Sequence, residues 1–247
     1  MSAAEAWTGG PVTDRATCVL AGNPGPLTLD GTNTWLLAAP GSPDAVVVDP
    51  GEDDAAHRAA ITAALAGRRV ALVVGTHHHP DHVGGLPAFL AEHPAPVVTA
   101  AGHVEAAGLS LEVLATPGHT ADSVSVLLAT GELLTGDTLL GRGSTVLAAD
   151  GDLGEHLRSL ELLLSLDAAV VLPGHGPARH DARAALRTQL DHRLERLEQV
   201  RAAWAAGHRD LGALVTAVHG DLPAGLRDAA AQSVRAQLRY LDPGAPR

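Results

Sequence analysis

A cluster of metal-ligand side chains in residues 76–82 is the feature that most constrains the fold and the function of this chain. The segment Thr76-His77-His78-His79-Pro80-Asp81-His82 contains the pattern His-x-His-x-Asp-His, which offers four ligand side chains within six residues. Imidazole and carboxylate groups together suit Zn²⁺ or a similar divalent ion. Four such ligands would crowd one tetrahedral ion, so we predict two adjacent ions. A polar surface loop is the alternative interpretation, because the chain contains 14 His.

The cluster follows an apolar run that is typical of a buried strand. Residues 70–74 are all apolar and lead directly into the ligands. Gly75 and Pro80 interrupt regular structure at this point. We therefore place the ligands on a loop at the end of a strand, and we expect a helix over residues 83–93 to follow.

Three later segments repeat this arrangement, in which a predicted strand runs into a tight turn that presents one ligand-type side chain. They are residues 116–120, 135–138 and 172–176, and their ligand-type residues are His119, Asp137 and His175. A glycine in each segment allows the backbone to turn sharply beside a bound ion. One such turn is weak evidence, but the four segments together predict a single metal centre.

The order of the predicted elements indicates the α/β class. The chain has 247 residues, of which 46% are hydrophobic, and this is enough for one large domain with a small appendage. Short strands come early, and helices predicted at residues 53–66 and 152–166 are interleaved with them. We predict two sheets packed face to face with helices outside.

The composition changes at residue 181, where a helical tail is predicted. Apolar residues recur on one side of residues 183–206, 210–219 and 223–241, which predicts three helices. Residues 183–247 hold ten Arg against seven acidic residues, although the whole chain has a net charge of −11. The arginines either form an ordinary solvated helix surface or hold a substrate.

Composition also limits the setting of the protein. The single cysteine, Cys18, excludes an intrachain disulfide framework. Residues 1–11 show neither a basic n-region nor an apolar h-region, and no apolar run reaches the length of a membrane span. The net negative charge argues against a general nucleic-acid or membrane coat. We expect a soluble cytoplasmic protein, and the sequence leaves its oligomeric state open.

The motifs between Asn33 and His175 resemble the metallo-β-lactamase superfamily. The resemblance implies a four-layer αββα sandwich with a binuclear zinc site at one edge, and iron or manganese are the alternative metals. The ligands implied for one ion are His77, His79 and His119. Those implied for the other ion are Asp81, His82 and His175, and Asp137 is implied to bridge the two ions. True β-lactamases usually place a cysteine at the bridging position, so antibiotic hydrolysis is not expected.

Further motifs occur in a fixed order along the chain. They are Gly31-Thr32-Asn33-Thr34, Thr116-Pro117-Gly118-His119-Thr120-Ala121-Asp122, Gly136-Asp137-Thr138-Leu139-Leu140-Gly141, Thr145-Val146, Leu172-Pro173-Gly174-His175-Gly176-Pro177 and Asp191-His192-Arg193. They resemble the beta-lactamase-like protein 2 group, which implies endonucleolytic cleavage of single-stranded RNA and a small all-α, winged-helix-like C-terminal domain. We accordingly divide the chain into a metal-dependent hydrolase domain, residues 1–180, and a helical domain, residues 181–247, in which any terminal wing is short.

The resemblance implies a hydrolytic mechanism in which a metal-bridging hydroxide is the nucleophile, because zinc lowers the pKa of bound water. Asp81 is expected to position this nucleophile as well as to bind metal. Substrate contacts are predicted for four residues, Arg142, Ser144, Thr145 and His192. His192 and His180 are candidates for the proton donor to the leaving group, or else pack on the surface. His78 is expected to point away from the ions.

Two substrate classes remain open. Single-stranded RNA is favoured, and the rival is a glyoxalase II-like thioesterase that hydrolyses hydroxyacylglutathione or another acyl thioester. A glutathione thioester carries carboxylates and calls for basic residues near the metals, yet the chain has no Lys, and Arg142 is the only Arg between Arg69 and Arg158. A metal-binding or regulatory protein without catalysis is a third hypothesis, which the complete set of seven ligand residues disfavours.

Overall fold

The computed structural model describes residues 6–147, 150–222 and 224–242, which form two β-sheets enclosed by helices. The strands are β1 (Gly10–Pro11), β2 (Ala16–Leu20), β3 (Asn33–Leu37), β4 (Asp44–Val48), β5 (Arg69–Val74), β6 (Val97–Val98), β7 (Gly102–Ala106), β8 (Leu109–Ala115), β9 (Val124–Leu128), β10 (Glu132–Gly136) and β11 (Val170–Pro173). The helices are α1 (Ala55–Leu65), α2 (Pro80–Val83), α3 (Leu86–Glu92), α4 (Leu153–Leu164), α5 (Ala182–Ala205), α6 (Leu211–His219) and α7 (Ala224–Leu241).

The sheet topology brings several strand ends to one edge of the molecule. The first sheet has the order β1-β2-β3-β4-β5-β6, and the second has the order β11-β10-β9-β8-β7. β4, β5 and β6 are mutually parallel, as are β10 and β11, and the other pairs are antiparallel. Parallel strands need helical crossovers, which α1, α3 and α4 supply. The carboxyl ends of parallel neighbours therefore lie side by side and can share one site.

The two sheets pack face to face through an apolar core. In β4, Val46 and Val48 belong to this inner core, whereas Ala45 and Val47 face the outer helices. This alternation follows from the two-residue period of a strand. The second sheet contributes inner-core residues from four strands, namely Leu111, Val113, Val126, Leu128, Leu134 and Leu172.

Helices cover the outer face of each sheet and complete four layers. The first sheet is covered by α1 and α3 through Ile61, Leu65 and Phe89. The second is covered by α4 and the first half of α5 through Leu157, Leu160, Leu163, Leu186 and Leu190. The predicted αββα sandwich is confirmed. Among the described residues, none of the helices combines the length and the apolar content of a membrane span.

The predicted helix over residues 83–93 is wrong at its start, because the structure divides the segment into α2 and α3. Gly85 donates its N–H to Gly51 O at 2.9 Å instead of continuing the α2 hydrogen bonds. A Cβ atom at Gly85 would lie 2.5 Å from Glu52 O, so this close approach requires glycine. Pro80 begins α2 rather than interrupting structure, since proline is well suited to the first turn of a helix.

Strand β7 was not predicted, because its sequence lacks an apolar run and it lies at the edge of the sheet. Its register with β8 is set by a two-residue turn between Ala106 and Leu109. Ala107 and Gly108 have φ values of 52° and 73°, which is the type I′ pattern that suits the twist of a hairpin. The available signal was therefore Gly108 rather than the hydrophobic pattern.

The C-terminal tail consists of three helices at almost the predicted positions. The second half of α5 packs with α6 and α7 around a small core that includes Val200, Leu214, Val218 and Val234. Since α5 packs in its first half against α4 and in its second half against α6 and α7, the division at residue 181 stays a prediction. No strand follows β11 in the described residues 174–222 and 224–242, so those residues do not form a wing.

Asn33 joins the two sheets at the edge that carries the ligand residues. Its backbone N–H donates to Gly174 O at 2.8 Å, and its side-chain Nδ2 donates to Pro173 O at 2.9 Å and to Gly176 O at 2.8 Å. Its Oδ1 accepts from Trp7 Nε1 at 2.8 Å. The side chain is fully buried and out of reach of water, so its polar atoms depend on these hydrogen bonds to other protein groups.

We predict that Asn33→Leu lowers the free energy of unfolding by about 2–4 kcal/mol, because Gly176 O loses a donor and Trp7 Nε1 loses its acceptor. Thr17→Val is the matched control, since Thr17 lies on the neighbouring strand and is only half-buried. Denaturant unfolding of both variants measures the difference. Equal stabilities for the two variants would contradict the role assigned to Asn33.

Candidate metal centre

The structure brings the seven predicted ligand residues together at one edge of the sandwich. His77 and His79 follow β5, and Asp81 and His82 lie on α2. The other three follow β8, β10 and β11 and are His119, Asp137 and His175. They form a first group of His77, His79 and His119, a second group of Asp81, His82 and His175, and a third group of His77, His82 and Asp137 that overlaps the first two. Within each group the possible ligand atoms lie within 4.8 Å of one another.

The first group consists of three histidine rings. His77 Nε2 lies 3.0 Å from His79 Nδ1, and His119 Nε2 lies 3.1 Å from the same atom. The His77 and His119 rings are buried, whereas His79 is half-buried and borders a cavity. Three ring nitrogens therefore converge on one point.

The second group combines two rings with a carboxylate. His82 Nε2 lies 3.2 Å from His175 Nε2, and Asp81 Oδ2 lies 3.2 Å from His175 Nε2 and 3.5 Å from His82 Nε2. Thr32 Oγ1 donates to the same oxygen of Asp81 at 3.3 Å. Three ligand atoms converge here as well.

Asp137 lies between the two groups. Its Oδ1 is 3.6 Å from His82 Nε2, and its Oδ2 is 3.7 Å from His119 Nε2 and 3.4 Å from His175 Nε2. Oδ1 is buried and has no hydrogen-bond partner among the described residues. A buried carboxylate oxygen without a donor needs another positive partner.

Outer hydrogen bonds determine which nitrogen of each ring faces the centre. His119 Nδ1 donates to Val146 O at 2.7 Å, and His175 Nδ1 donates to Gly31 O at 3.2 Å. A carbonyl oxygen can only accept, so in the neutral rings both Nδ1 atoms carry the proton. In this neutral form, both Nε2 atoms direct lone pairs at the centre.

Asp49, which the sequence analysis did not identify, fixes two further rings. Its Oδ2 accepts from His82 Nδ1 at 2.8 Å and from Thr76 Oγ1 at 2.6 Å. Because Thr76 has donated its proton, its Oγ1 accepts from His77 Nδ1 at 3.0 Å. Asp49 follows the buried strand β4, and an acidic residue at the end of a strand was the available signal.

The charges of the site show that it attracts positive charge. Burial alone lowers the pKa of His175, but Asp137 and Asp81 outweigh burial and raise that pKa to about 10. Burial also opposes ionisation of Asp137, yet His175 and His82 hold its pKa well below the usual range. Burial and the neighbouring His82 lower the pKa of His77 to about 2, so this ring is neutral and can act as a ligand.

These observations fit a divalent metal centre. Unprotonated ring nitrogens about 3 Å apart repel each other unless a cation lies between them. The donors are imidazole nitrogens and carboxylate oxygens without thiolate, a combination that suits zinc and also admits other divalent ions. The bonds from Asp49, Gly31 and Val146 are the kind of outer support that orients metal-binding histidines.

The other predicted site residues lie at different distances from this centre. Thr145 Oγ1 lies 3.2 Å from His119 Nδ1 and supports that ring. Ser144 Oγ lies 2.9 Å from His192 Nδ1, and Arg142 forms an ion pair with Asp30 at 2.6 Å.

Two further histidines named from the sequence lie away from the ligand atoms. His78 turns away to an exposed pair with Asp122 at 2.8 Å. His180 is exposed and does not line the cavity.

A cavity of about 720 Å³ opens beside the centre. One side of it exposes His79, Asp81, His119, Asp137 and His175. The rest of its lining comes from residues 26–29, from the loop of residues 140–146 and from the tail helices, mainly α5 and α7. All four predicted substrate contacts line it, namely Arg142, Ser144, Thr145 and His192.

Comparisons with known proteins agree with the observed fold. The family model described as the metallo-beta-lactamase superfamily matches residues 27–107 and 102–175. The chain is 31% identical to the beta-lactamase-like protein 2 homolog of Caenorhabditis elegans, over 93% of this chain and 85% of the relative. It is also 31% identical to the atrochrysone carboxyl ACP thioesterase of Aspergillus fumigatus, over 88% of this chain and 77% of that protein.

A solved structure shows the same architecture. The metallo-beta-lactamase family protein of Thermus thermophilus matches with a TM-score of 0.73 and 26% identity, and the match covers 93% of each chain. The family model spans the region that holds all seven clustered residues, and the relatives extend over most of the tail. This chain therefore belongs to the metallo-beta-lactamase superfamily of hydrolases.

Proposed function

We propose that the protein hydrolyses an acyl thioester or a similar acyl ester, with two zinc ions at the centre. His77, His79 and His119 would hold one ion, Asp81, His82 and His175 would hold the other, and Asp137 is placed between the two groups. The observation that carries the proposal is an apolar wall in the same cavity that exposes this centre.

The wall is made by two segments that are distant in sequence. Leu27 and Leu29 contribute from the loop between β2 and β3, and Leu222 and Leu226 contribute from the tail. Leu27 is 61% exposed and Leu226 is 39% exposed, so apolar surface of both side chains is accessible to a ligand in the cavity. An apolar acyl group adjacent to a reacting carbonyl fits this surface.

Two arginines of the tail are far from the candidate metal ligands in the sequence but line the same cavity. The scarcity of arginines between Arg69 and Arg158 disfavours a thioesterase only if the tail stays away from the centre. Arg193 and Arg196 come from α5, and both line the cavity. Basic residues are therefore available for a substrate that carries negative charge.

Cleavage of single-stranded RNA, which the sequence resemblance implies, is the second candidate. Its support is the similarity to the beta-lactamase-like protein 2 homolog, which continues through the tail. A polynucleotide requires cations that reach several phosphates. In this cavity Arg142 is paired with Asp30 at 2.6 Å, which leaves Arg193 and Arg196 as the cavity arginines without a carboxylate partner among the described residues. Two cations on one helix favour a small substrate over a strand.

The thioesterase relative also favours a thioester substrate over single-stranded RNA. The Aspergillus fumigatus protein is named as a carboxyl ACP thioesterase, and the match covers most of both chains. A thioester of an apolar acyl group is consistent with this relative and with the apolar wall.

The protein's own residues orient the reaction. Bound divalent ions supply an acidified water and positive charge for the oxygens of the ester. Asp81 lines the cavity with its side chain 26% exposed, against 10% for Asp137, so it can accept a hydrogen bond from the attacking water. Thr32 and His175 hold the Asp81 carboxylate in place. The apolar wall excludes bulk water from the acyl side.

We predict that Asp81→Ala lowers kcat for a medium-chain acyl thioester by at least about 100-fold, because it removes an ion ligand and the acceptor that orients the water. The zinc-loaded protein would be assayed on acyl thioesters and on an unpaired RNA oligonucleotide. Asp122→Ala is the matched control, because Asp122 is a surface residue that pairs with His78. Rapid RNA cleavage together with intact thioesters would replace this proposal by the RNA candidate.

We predict that Leu226→Ser raises KM for the longest acyl thioester by about tenfold and has less effect on acetyl thioesters, because a long chain buries more apolar surface against this side chain. Leu162→Ser is the control, since Leu162 is 40% exposed on α4 and does not line the cavity. Steady-state kinetics across chain lengths measures the effect. A KM change that does not depend on chain length would contradict the proposed acyl wall.

A further inference from the structure

A buried arginine on the cavity wall has no role in the reaction described above. Arg193 lies on α5, is 5% exposed and lines the cavity. One nitrogen, Nη2, donates to Thr145 O, whereas Nε is buried and has no hydrogen-bond partner among the described residues. The guanidinium group therefore keeps unused donor capacity next to the cavity.

Arg193 also lacks an anionic partner within residues 6–147, 150–222 and 224–242. Burial lowers its pKa to about 10, so the group is still charged at neutral pH. A buried charge without a counterion is costly. Such a group is expected to receive its counterion from a ligand.

Other polar side chains of the cavity wall also lack a carboxylate partner among the described residues. Arg196 lies one turn further along α5, and its side chain donates to Val218 O and to Gln199 Oε1. His219 Nε2 and Gln237 Oε1 line the same wall and have no partners among the described residues. Burial and the nearby Arg196 lower the pKa of His219, so its ring is neutral and can present an N–H. The amide of Gln237 can present its NH₂ after a flip.

The position of Arg193 relates it to the reacting centre. Thr145 accepts a hydrogen bond from Arg193 through its carbonyl oxygen, and its Oγ1 lies 3.2 Å from His119 Nδ1. A single residue therefore separates the guanidinium from a metal-site histidine. Asp81 and Asp137 line the same cavity as Arg193, so an anionic group bound by Arg193 and a scissile bond at the centre can belong to one ligand.

We propose that Arg193, together with Arg196, His219 and Gln237, binds a carboxylate at the far end of the acyl group, so that the substrate is a thioester of a dicarboxylic or similar carboxylate-bearing acid. This inference rests on the proposed function. A carboxylate matches the two-donor edge of one guanidinium, and its single charge balances the single buried cation. The leucines of the cavity wall would contact the carbon chain between the two ends.

The direct test compares the affinities of two carboxylic acids for the zinc-loaded protein of 247 residues. Glutarate and valerate are equally long, and either one can place a carboxylate at the metal centre, but only glutarate has a second carboxylate for Arg193. We expect glutarate to bind at least about tenfold more tightly, as a charge-assisted hydrogen bond in a buried site allows. Isothermal titration measures both affinities, with inorganic phosphate as a third ligand.

Variants on α5 identify the group responsible. Arg193→Gln should remove most of the preference for glutarate, Arg193→Lys should restore part of it, and Arg196→Gln should reduce it. Arg187→Gln is the control, because Arg187 is exposed on the same helix and does not line the cavity. If Arg193→Gln does not fold in thermal unfolding, the wild-type comparison and Arg196→Gln still decide the question.

The outcomes separate the two proposals. Equal affinity of the wild type for glutarate and valerate would overturn the carboxylate site, whether or not thioesters are hydrolysed. Tighter binding of phosphate than of glutarate, lost in Arg193→Gln, would also overturn the assignment to a carboxylate. A retained preference for glutarate in a protein that hydrolyses no thioester would support the site and contradict the proposed reaction alone.

Discussion

The buried carboxylate of Asp49 is the interaction on which the geometry of the site depends. It accepts hydrogen bonds from the Thr76 backbone, the Thr76 hydroxyl and His82 Nδ1. Through the Thr76 hydroxyl it also fixes His77, so one residue at the end of β4 orients a ring in each ligand group. A buried carboxylate is stable only when its oxygens are satisfied, and here three donors satisfy them. The resulting arrangement directs unprotonated nitrogens at the centre and makes the edge of the sandwich a receptor for cations.

The clustering of the candidate ligand residues could be predicted from the sequence because their signals are local, whereas the contacts that orient these residues could not. A histidine or an aspartate after an apolar strand is visible in a short window, and His77, His119 and Asp137 were found in this way. Asp49 acts on residues 27 and 33 positions further along the chain, and only the pairing of β4 with β5 brings them together. The break between α2 and α3 likewise depends on a tertiary bond, from Gly85 to Gly51.

The helical tail was predicted as a separate, arginine-bearing unit, but its helices form part of the cavity. Arg193, Leu226 and Gln237 from α5 and α7 line the same space as Asp81 and Asp137 from the sandwich. The sequence could not indicate this, because periodicity shows which side of a helix is apolar but not what the helix faces. The candidate metal ligands of the sandwich and the helices of the tail therefore border one cavity.

We propose that one cation occupies each of the two points where the ligand atoms of the metal centre converge. Anomalous diffraction at the zinc absorption edge, from crystals of the zinc-loaded protein, tests it most directly. We predict two peaks about 3.5–4 Å apart with Asp137 between them, as in other two-metal hydrolytic sites. One peak should lie among His77, His79 and His119, and the other among Asp81, His82 and His175. A single peak, or peaks remote from Asp137, would contradict the account.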